Sequence, residues 1–223
     1  IGPNGAGKTT VFNLITGIYP VSAGEINFQG RSILGLKPFQ IAQLGIARTF
    51  QNIRLFKQIS VLDNVRTVFH PRVGYGLLDS FLHTPRFRRE ENRITEMAMD
   101  LLETMGLADR SQMKAVNLPY GDQRRLEIAR AIGTGPKLLL LDEPAAGMNP
   151  SEVGQLVDLI RFVRERFQLT ILLIEHQMGV VMNVCERIEV LDFGETIAAG
   201  RPEEIRNHPK VLEAYLGKGV TVA

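Results

Sequence analysis

The sequence contains a single cysteine, Cys185, and almost no excess of one charge sign. One cysteine cannot form an internal disulfide, and its isolation fits a reducing compartment. Lys and Arg number 26, Asp and Glu number 24, and the formal net charge is +2. This balance argues against nucleic acid as the main partner. No run approaches the ~18 uninterrupted apolar residues of a spanning helix, so we expect a chain that does not cross a membrane by itself.

The composition is typical of a folded globular domain. The chain has 223 residues, of which 44% are hydrophobic and 22% are charged. That length is enough for one well-buried domain with a subdomain. We find no internal repeat and no low-complexity tract.

A glycine-rich segment matches the pattern Gly, four residues, Gly-Lys-Ser/Thr. It comprises Gly2, Pro3, Asn4, Gly5, Ala6, Gly7, Lys8, Thr9 and Thr10. Glycines let successive N–H groups point at phosphate oxygens, and a helix over about residues 8–16, stopped by Gly17, would aim its positive end at the same anion. We expect Lys8 to reach the β- and γ-phosphates and the Thr9 hydroxyl to bind Mg²⁺. The alternative is a chance glycine-rich turn.

Such a loop needs a buried strand just before it, yet only Ile1 precedes Gly2. We therefore expect the sequence to be a fragment that lacks this strand and at least one edge strand. Because such strands close the core, the fragment alone is expected to be of doubtful stability.

A second motif consists of Asp142 and Glu143, which follow Lys137 and an apolar run of four leucines over residues 138–141. Four consecutive leucines are typical of a strand buried on both faces, as in a parallel sheet. Asp142 would lie at the C-terminal end of the strand, where ligands bind in open α/β sheets, and would hold Mg²⁺ through water. Glu143 would accept a proton from an attacking water or orient it. The alternative is a strand that ends in solvated acids.

A crossover helix and a second strand are predicted next. Asn149 and Pro150 are typical of an N-cap and a first turn, and apolar residues then repeat at helical spacing. Residues 169–174 predict another buried strand, which His176 follows. A lone histidine is usually structural or solvated, but this one would end a core strand on the side of the two acids. We interpret it as a γ-phosphate sensor.

The segment between the two motifs points to a family. Residues 118–131 read Leu-Pro-Tyr-Gly-Asp-Gln-Arg-Arg-Leu-Glu-Ile-Ala-Arg-Ala and resemble the signature Leu-Ser-Gly-Gly-Gln of ABC ATPases with its helix. In that family the start of this helix contacts the γ-phosphate of ATP held by the opposite subunit, for which the helix dipole is the physical reason. The resemblance implies such a contact at Pro119, Tyr120, Gly121 and Asp122, in a head-to-tail dimer.

The other ABC motifs occur in the family's order. Thr49-Phe50-Gln51 resembles the Q-loop, which implies that Gln51 touches Mg²⁺ and the water. Residues 146–149 occupy the place of the D-loop and His176 that of the H-loop.

Several positions depart from the family pattern. Pro119 replaces the signature serine, Tyr120 its first glycine and Asp122 the usual glutamine, and Asn149 replaces the D-loop acid. The aromatic residue that stacks on adenine in this family would lie before Ile1. These changes bear on the rate of hydrolysis and on the strength of the dimer. We still expect activity from the complete protein, because the residues with chemical roles remain: Lys8, Asp142, Glu143 and His176.

The resemblance implies an α/β fold, a P-loop ATPase of the ABC type with a parallel-sheet core, and one domain over residues 1–223. Residues 1–51 and 118–200 would form the ATP-binding core. Residues 52–117 would form a helical subdomain that receives the coupling helix of a permease. Residues 201–223 would form C-terminal helices and a tail.

Within the middle segment, residues 90–105 predict a helix, whereas residues 73–85 have no clear period. Arg86, Arg88 and Arg89 form a short basic cluster. We interpret the cluster as a solvated face, with a contact to anionic lipid or to the permease as the alternative.

Towards the end, residues 187–191 and 195–198 predict a hairpin. Residues 202–206 and 209–216 predict two short helices. Residues 218–223 are expected to be frayed.

Four phrases resemble most closely the ATP-binding subunits of branched-chain amino-acid importers: residues 120–129, 142–150, 202–205 and 213–217. The resemblance implies ATP and Mg²⁺ as cofactors, with permease subunits and a second ATPase, identical or related, as partners. A solute-binding protein would be an indirect partner, and nucleic acid none. The location implied is peripheral, at the cytoplasmic face of the plasma membrane.

Other interpretations remain open. Urea-type importers and the ATPase of lipopolysaccharide export share much of this pattern. An ABC ATPase acting on ribosomes or DNA usually carries two ATPase units or long coiled coils, and neither is visible. A catalytically inactive regulatory subunit is favoured by the altered signature and opposed by Glu143 and His176.

Overall fold

The computed structural model describes residues 1–216, and for Arg72 and Leu216 the backbone alone. Within them the α-helices are α1 (Lys8–Ile15), α2 (Pro38–Gln43), α3 (Val61–Arg66), α4 (Leu77–Phe81), α5 (Pro85–Thr104), α6 (Tyr120–Gly133), α7 (Pro150–Phe167), α8 (Met178–Val184), α9 (Pro202–Arg206) and α10 (Pro209–Leu216). The strands are β1 (Asn27–Phe28), β2 (Arg31–Ser32), β3 (Ile46–Arg48), β4 (Leu138–Asp142), β5 (Thr170–Ile174), β6 (Ile188–Asp192) and β7 (Glu195–Gly200). Short 3-10 helices cover His70–Arg72, Ala108–Arg110 and Ala115–Asn117.

A parallel sheet of order β3-β4-β5 lies at the centre of the described residues. Leu139, Leu140 and Leu141 of β4 are fully buried, so each contributes about 1.5–3 kcal/mol of hydrophobic stabilisation. The predicted parallel α/β core is confirmed. Because β3, β4 and β5 run in the same direction, their C-terminal ends share one edge of the sheet.

The prediction that residues 169–174 form a buried strand is wrong for much of that strand. The strand forms, but Thr170 is exposed and Leu172 is 40% exposed. Within the described residues β5 pairs only with β4 and is an edge of the three-stranded sheet. An apolar sequence predicts a strand equally well at an edge and at the centre, which is why its pattern did not distinguish the two.

Two antiparallel hairpins accompany the central sheet, β1 with β2 and β6 with β7. The second confirms the hairpin predicted near the end of the chain. Ile1 aligns beside β6, since the Leu191 N–H donates to the Ile1 carbonyl at 2.9 Å and the Ile1 amino group donates to the Glu189 carbonyl at 2.8 Å. These bonds place the glycine-rich segment next to the β6–β7 turn.

A helical layer of α3, α5 and α6 packs around one buried cluster with β4 and α7. Helix α5 begins at Pro85, with the Thr84 hydroxyl accepting a hydrogen bond from the Phe87 N–H at 3.3 Å. This start is five residues earlier than the predicted Glu90, so the three arginines of the basic cluster lie in the first turns of a helix. The segment without clear period contains the short helix α4.

The remaining helix predictions are confirmed. Asn149 caps α7, because its Oδ1 accepts from the Glu152 N–H at 3.0 Å while the Glu152 carboxylate accepts from the Asn149 N–H at 2.9 Å. Helices α9 and α10 have the predicted bounds. The expectation for residues 218–223 lies outside the described residues.

Candidate active site

The glycine-rich segment forms a loop whose backbone only glycine tolerates at several points. Gly5 and Gly7 have φ of 81° and 97°, and a Cβ at Gly2 would collide with the carbonyl oxygen of Leu191. The loop leads directly into α1, where Gly7 is the N-cap. A turn of this shape followed by a helix N-terminus concentrates N–H groups and the positive end of the helix dipole in one place.

Lys8 lies across this loop. Its Nζ donates to the carbonyl oxygens of Gly2 and Pro3 at 2.8 and 2.9 Å. Asn4, Thr9 and Thr10, by contrast, are exposed. The loop therefore presents an ammonium group, exposed hydroxyls and helix N–H groups to one site, which is the donor set that a polyphosphate requires.

The C-terminal helix contacts the loop. The Gly2 N–H donates to Tyr215 Oη on α10 at 2.9 Å, and burial raises the pKa of Tyr215 above its usual value. No sequence pattern singled out Tyr215 for this contact. The two residues are 213 positions apart, and only the approach of α10 to β7 brings them together.

Asp142 lies at the end of β4 and is almost fully buried. Arg48, at the end of β3, donates from Nη2 to Asp142 Oδ2 at 2.7 Å and from Nη1 to Asn13 Oδ1 on α1 at 2.7 Å. The guanidinium also lies over the rings of Phe12 and Phe50, at 5.3 and 5.2 Å from their centroids. Arg48 thus links both strand ends to α1; the sequence motifs did not indicate it.

Glu143 occupies a strained backbone position. Its φ of 44° lies in the left-handed region, which costs energy for a residue other than glycine. The Glu143 N–H donates to the Ile174 carbonyl at 2.9 Å, and Glu143 Oε2 accepts from Gln51 Nε2 at 2.7 Å. His176 Nδ1 lies 3.9 Å from the same oxygen. The structure therefore brings together three of the predicted site residues: Gln51, Glu143 and His176.

Glu175 organises the turns behind these side chains. It is fully buried, and its carboxylate accepts from the N–H groups of Ala145 at 2.8 Å, His176 at 3.0 Å and Gln177 at 3.2 Å. One carboxylate therefore ties the loop after β4 to the loop after β5. The position of Glu175 directly after an apolar strand was the sequence signal for this structural role. The sequence analysis instead assigned a function to the neighbouring His176 and none to Glu175.

The signature segment forms the start of α6. Pro119 is the N-cap and makes no side-chain cap bond, while the Tyr120 hydroxyl donates to the Ala146 carbonyl at 2.9 Å. Asp122 pairs with Arg110, so its charge is partly balanced. Pro119 and Tyr120 are exposed at a helix N-terminus. The contact with a second subunit predicted for Pro119, Tyr120, Gly121 and Asp122 stays a prediction.

A buried ion pair joins α6 to the segment that carries Gln51. Arg124 is fully buried and donates to Glu127 at 2.7 Å and to the carbonyls of Phe50 and Gln51 at 2.8 and 3.0 Å. Glu127 accepts in turn from the N–H groups of Phe50 and Arg54. Burial raises the pKa of Glu127, and Arg124 opposes that shift. Opposite charges at i and i+3 of a predicted helix were the available signal for this pair.

The residues present fit a nucleoside triphosphate with a divalent cation. The loop offers N–H donors and Lys8, and the side chains that would hold the cation, Thr9, Gln51 and Asp142, carry oxygen atoms. Hard oxygen donors of this kind suit Mg²⁺, which usually takes one or two protein ligands besides phosphates and water. No group of three or more His, Cys, Asp or Glu side chains within the described residues is placed to hold a metal ion.

A parallel sheet, a glycine-rich phosphate loop before a helix and an acid at the end of the sheet's middle strand define a P-loop nucleotide-binding protein. Residues 1–146 match the family model described as ABC transporter. Residues 195–221 match the model of the branched-chain amino acid ATP-binding cassette transporter. The chain belongs to the ABC transporter family of ATP-binding cassettes.

Its relatives include curated bacterial proteins. The chain is 49% identical over 218 residues to the high-affinity branched-chain amino acid transport ATP-binding protein LivG of Salmonella typhimurium, covering 98% of this chain and 86% of the relative. The protein of the same name from Escherichia coli K12 is 48% identical with the same coverage. BraF of Pseudomonas aeruginosa is 46% identical, again over 98% and 86%.

Solved structures agree on the fold. The ADP conformation of MJ1267, an ATP-binding cassette of an ABC transporter, matches with a TM-score of 0.80 at 33% identity, over 98% of this chain and 86% of that one. CbiO1 of Clostridium perfringens, part of an ABC transporter complex, matches with a TM-score of 0.78 at 26% identity, over 96% and 80%. The predicted P-loop ATPase fold of the ABC type is confirmed.

Membership of the ABC transporter family implies an ATPase activity and an assembly with other subunits. The chain is an ATP-binding cassette of the class that hydrolyses ATP, and cassettes of transporters work with membrane permeases and in pairs. No helix within residues 1–216 combines the length and the apolar character needed to cross a bilayer.

Proposed function

We propose that the chain is the ATP-hydrolysing subunit of an ABC importer for branched-chain or other amino acids, bound peripherally at the cytoplasmic face of the plasma membrane. The observation that carries the proposal is the 49% identity to LivG over 98% of the chain. The match of residues 195–221 to the branched-chain amino acid transporter model supports it independently of the ATP-binding motifs. Closure of an ATPase dimer on ATP would move the permease, and hydrolysis would reset it.

The phosphate loop would bind ATP. The residues proposed to surround the phosphates are Gly2, Pro3, Asn4, Gly5, Ala6, Gly7, Lys8, Thr9 and Thr10. Lys8 already points into the loop and would exchange its carbonyl partners for β- and γ-phosphate oxygens. This exchange needs only a rotation of the long lysine side chain, because the backbone of the loop is set by its glycines.

Glu143 would act as the general base. Gln51 holds its carboxylate at 2.7 Å, which orients an oxygen to accept the proton of the attacking water. His176, 3.9 Å from that oxygen, would donate a hydrogen bond to the γ-phosphate and stabilise its developing charge. Thr9, Gln51 and Asp142 would hold Mg²⁺, Asp142 through water; the bound cation would neutralise phosphate charge.

The positions of the sequence motifs suggest how the chain divides into an ATP-binding core, a helical subdomain and a C-terminal part. Residues 1–51 and 118–200 would form the ATP-binding core, residues 52–117 the helical subdomain facing the permease, and residues 201–223 the C-terminal helices and tail. Pro119, Tyr120, Gly121 and Asp122 would contact ATP held by a second ATPase subunit. Arg124 would couple that contact to the active site, since it links the signature helix directly to the backbone of Gln51.

The test is an affinity purification of the tagged full-length protein from detergent-solubilised native membranes, followed by mass spectrometry. The expected result is co-purification of a multi-span permease and a second ATPase, together with lowered uptake of radiolabelled leucine when the gene is deleted. A strain carrying the untagged protein is the control for adventitious capture. Recovery of ribosomes or DNA-binding proteins alone would overturn the transport assignment while leaving the ATPase chemistry intact.

A further inference from the structure

The insert between α3 and α5 presents an apolar surface to solvent. Leu77, Leu78, Phe81 and Leu82, on and just after α4, are 92%, 78%, 83% and 67% exposed. We call these four residues the α4 patch. Single exposed apolar residues are ordinary, but a contiguous group of four large ones marks an interaction surface.

Helix α4 has the reverse orientation of an ordinary surface helix. The spacing of the α4 patch, at i, i+1, i+4 and i+5, places its residues on one side of the helix. The opposite side carries Asp79 and Ser80, which are half-buried. Asp79 accepts from the Gly76 N–H at 3.2 Å and from the Thr84 hydroxyl at 2.9 Å. The polar side is thus bonded to the residues that flank α4, and the apolar side faces solvent, whereas a surface helix normally buries its apolar side.

The base of the insert is fixed to α5. The ring of Phe87 meets those of Tyr75 and His83 edge-on, at centroid distances of 5.0 and 5.3 Å. Tyr75 Oη donates to Glu91 Oε1 at 2.6 Å, and Glu91 pairs with Arg66 of α3. The residues before and after α4 are therefore fixed to α5, and the α4 patch lies between them at the surface.

Positive charge follows the α4 patch immediately. Arg86, Arg88 and Arg89 lie in the first turns of α5 and are exposed. None of the three forms an ion pair with the residues that the structure describes, although Arg86 acts electrostatically on Asp79 and, besides the hydrogen bonds that Asp79 accepts, helps to lower the pKa of that carboxyl. Residues 77–89 contain these three arginines against one aspartate, a formal charge of +2. A partner for this segment must accept apolar side chains and supply negative charge beside them.

An anionic bilayer surface meets both requirements. Leucine and phenylalanine enter the boundary between headgroups and acyl chains, while arginines bind anionic headgroups. A protein groove fits less well, because α4 has five residues and cannot supply the i to i+7 anchors of a helix bound in a groove.

We propose that residues 77–89 form a membrane-surface contact, in which the α4 patch inserts into the interface of an anionic bilayer and Arg86, Arg88 and Arg89 bind lipid headgroups. This contact would hold the helical subdomain against the membrane independently of any permease. It goes beyond the transport function and does not depend on the cargo.

The test is co-sedimentation of the purified full-length protein with vesicles, without a permease. One set contains phosphatidylcholine alone and the other equal parts of phosphatidylcholine and phosphatidylglycerol. The wild-type protein should bind the anionic set at low salt and be released by high salt, which screens the arginines. Leu78→Ser/Phe81→Ser and Arg88→Gln/Arg89→Gln should each lower the partition coefficient about tenfold or more.

The controls are variants that remove two apolar side chains or two arginines from parts of the surface outside residues 77–89. Leu34→Ser/Phe39→Ser changes two exposed apolar residues, and Arg31→Gln/Arg206→Gln two exposed arginines; both should bind like the wild type. Each variant is also assayed for ATPase activity in solution, and retained activity establishes that the variant is folded. Loss of vesicle binding with retained ATPase activity then concerns the membrane contact alone and not the proposed ATPase function.

The proposal is overturned if the wild type does not bind anionic vesicles, or if the serine variant binds them as well as the wild type does. A photo-crosslinker at residue 78 in native membranes gives a second readout. Crosslinks to phospholipid support the lipid contact. Crosslinks to permease subunits alone would assign the patch to a protein interface and contradict the proposal.

Discussion

Arg48 and Asp142 form a buried ion pair in which the Arg48 guanidinium donates to the carboxylate at 2.7 Å. The same guanidinium binds Asn13 in α1. One side chain therefore connects the ends of β3 and β4 to the helix that follows the phosphate loop. Since Asp142 is a proposed ligand of Mg²⁺ through water, Arg48 positions a carboxylate that would otherwise be buried without a partner.

Replacing Arg48 tests this positioning role. Arg48→Met keeps the volume but leaves Asp142 unpaired, and loss of one partner of a buried ion pair costs about 3–5 kcal/mol. We expect the free energy of unfolding in urea, followed by circular dichroism, to fall by about that amount, and ATP turnover to fall with it. Arg31→Met, at an exposed position, should change stability by about 0.5 kcal/mol or less. Equal stability of the two variants would contradict the assigned role.

Arg124 should couple the signature helix to Gln51. Arg124→Lys keeps the charge but cannot reproduce the bonds to Glu127 and to two carbonyls. A shifted Gln51 would misorient Glu143, and displacements near 1 Å can cost about a hundredfold in rate. We expect kcat for ATP to fall about tenfold or more with little change in ATP affinity by equilibrium binding.

The neighbouring residue provides the control for this substitution. Arg125→Lys alters a half-buried arginine with one bond, to Gln155 at 3.0 Å, and should leave kcat nearly unchanged. If Arg124→Lys weakened ATP binding instead of turnover, a link through Gln51 would be the wrong explanation.

Local patterns predicted the elements that carry the motifs. The loop and α1 were predictable because glycines and a following helical segment are adjacent in sequence, and β4 because four leucines are consecutive. The capping box of Asn149 and Glu152 was predictable for the same reason. Each depends on residues within a few positions of one another, which is the range over which sequence periodicity and capping chemistry act.

Contacts between distant residues could not be predicted in this way. Arg48 and Asp142 are 94 positions apart and Gly2 and Tyr215 are 213 apart, so only the packing of the sheet and of α10 makes them neighbours. Helix α4 could not be predicted from the sequence for a different reason. Five residues make little more than one turn, and its apolar residues face solvent, opposite to the pattern on which sequence reading relies.

Glu143→Gln should separate ATP binding from hydrolysis. Glutamine can still contact Gln51 but cannot accept the proton, and general base catalysis contributes about 10²–10⁴-fold. We expect nucleotide affinity near that of the wild type and single-turnover hydrolysis slower by about that factor. Glu165→Gln, at an exposed position of α7, is the charge-matched control. Rapid turnover in Glu143→Gln would exclude Glu143 as the base.

Lys8→Ala should impair ATP binding, the step that precedes hydrolysis. Removing the ammonium group that lies across the loop leaves the phosphates without their point charge, so ATP binding measured by calorimetry should be lost. Lys57→Ala, at an exposed position away from the phosphate loop, is a matched lysine control. Unchanged ATP affinity of Lys8→Ala would contradict the role proposed for Lys8.

Tyr75 should titrate well above an ordinary tyrosine. Its hydrogen bond to Glu91 raises the pKa of Tyr75 to about 12. A raised pKa in the folded state means that the stabilisation is present below about pH 10, the unfolded value, and is lost as pH rises through the folded one. Phenolate absorbance should show a high-pH phase whose amplitude falls by one tyrosine in Tyr75→Phe, while Tyr215, whose pKa burial also raises, contributes to the phase that remains. An unchanged amplitude in Tyr75→Phe would contradict the contact.

Tyr215→Phe should weaken nucleotide binding from outside the phosphate loop. The substitution removes only the hydroxyl that accepts from the Gly2 N–H at 2.9 Å, and a hydrogen bond of this kind contributes about 1 kcal/mol. If the contact holds the entry of the loop in the binding conformation, its loss should raise the Kd for ATP about fivefold and lower the unfolding free energy by a similar amount. Tyr19→Phe, at a half-exposed position, is the control. A loss of stability without a change in Kd would mean that α10 supports the fold but does not position the loop.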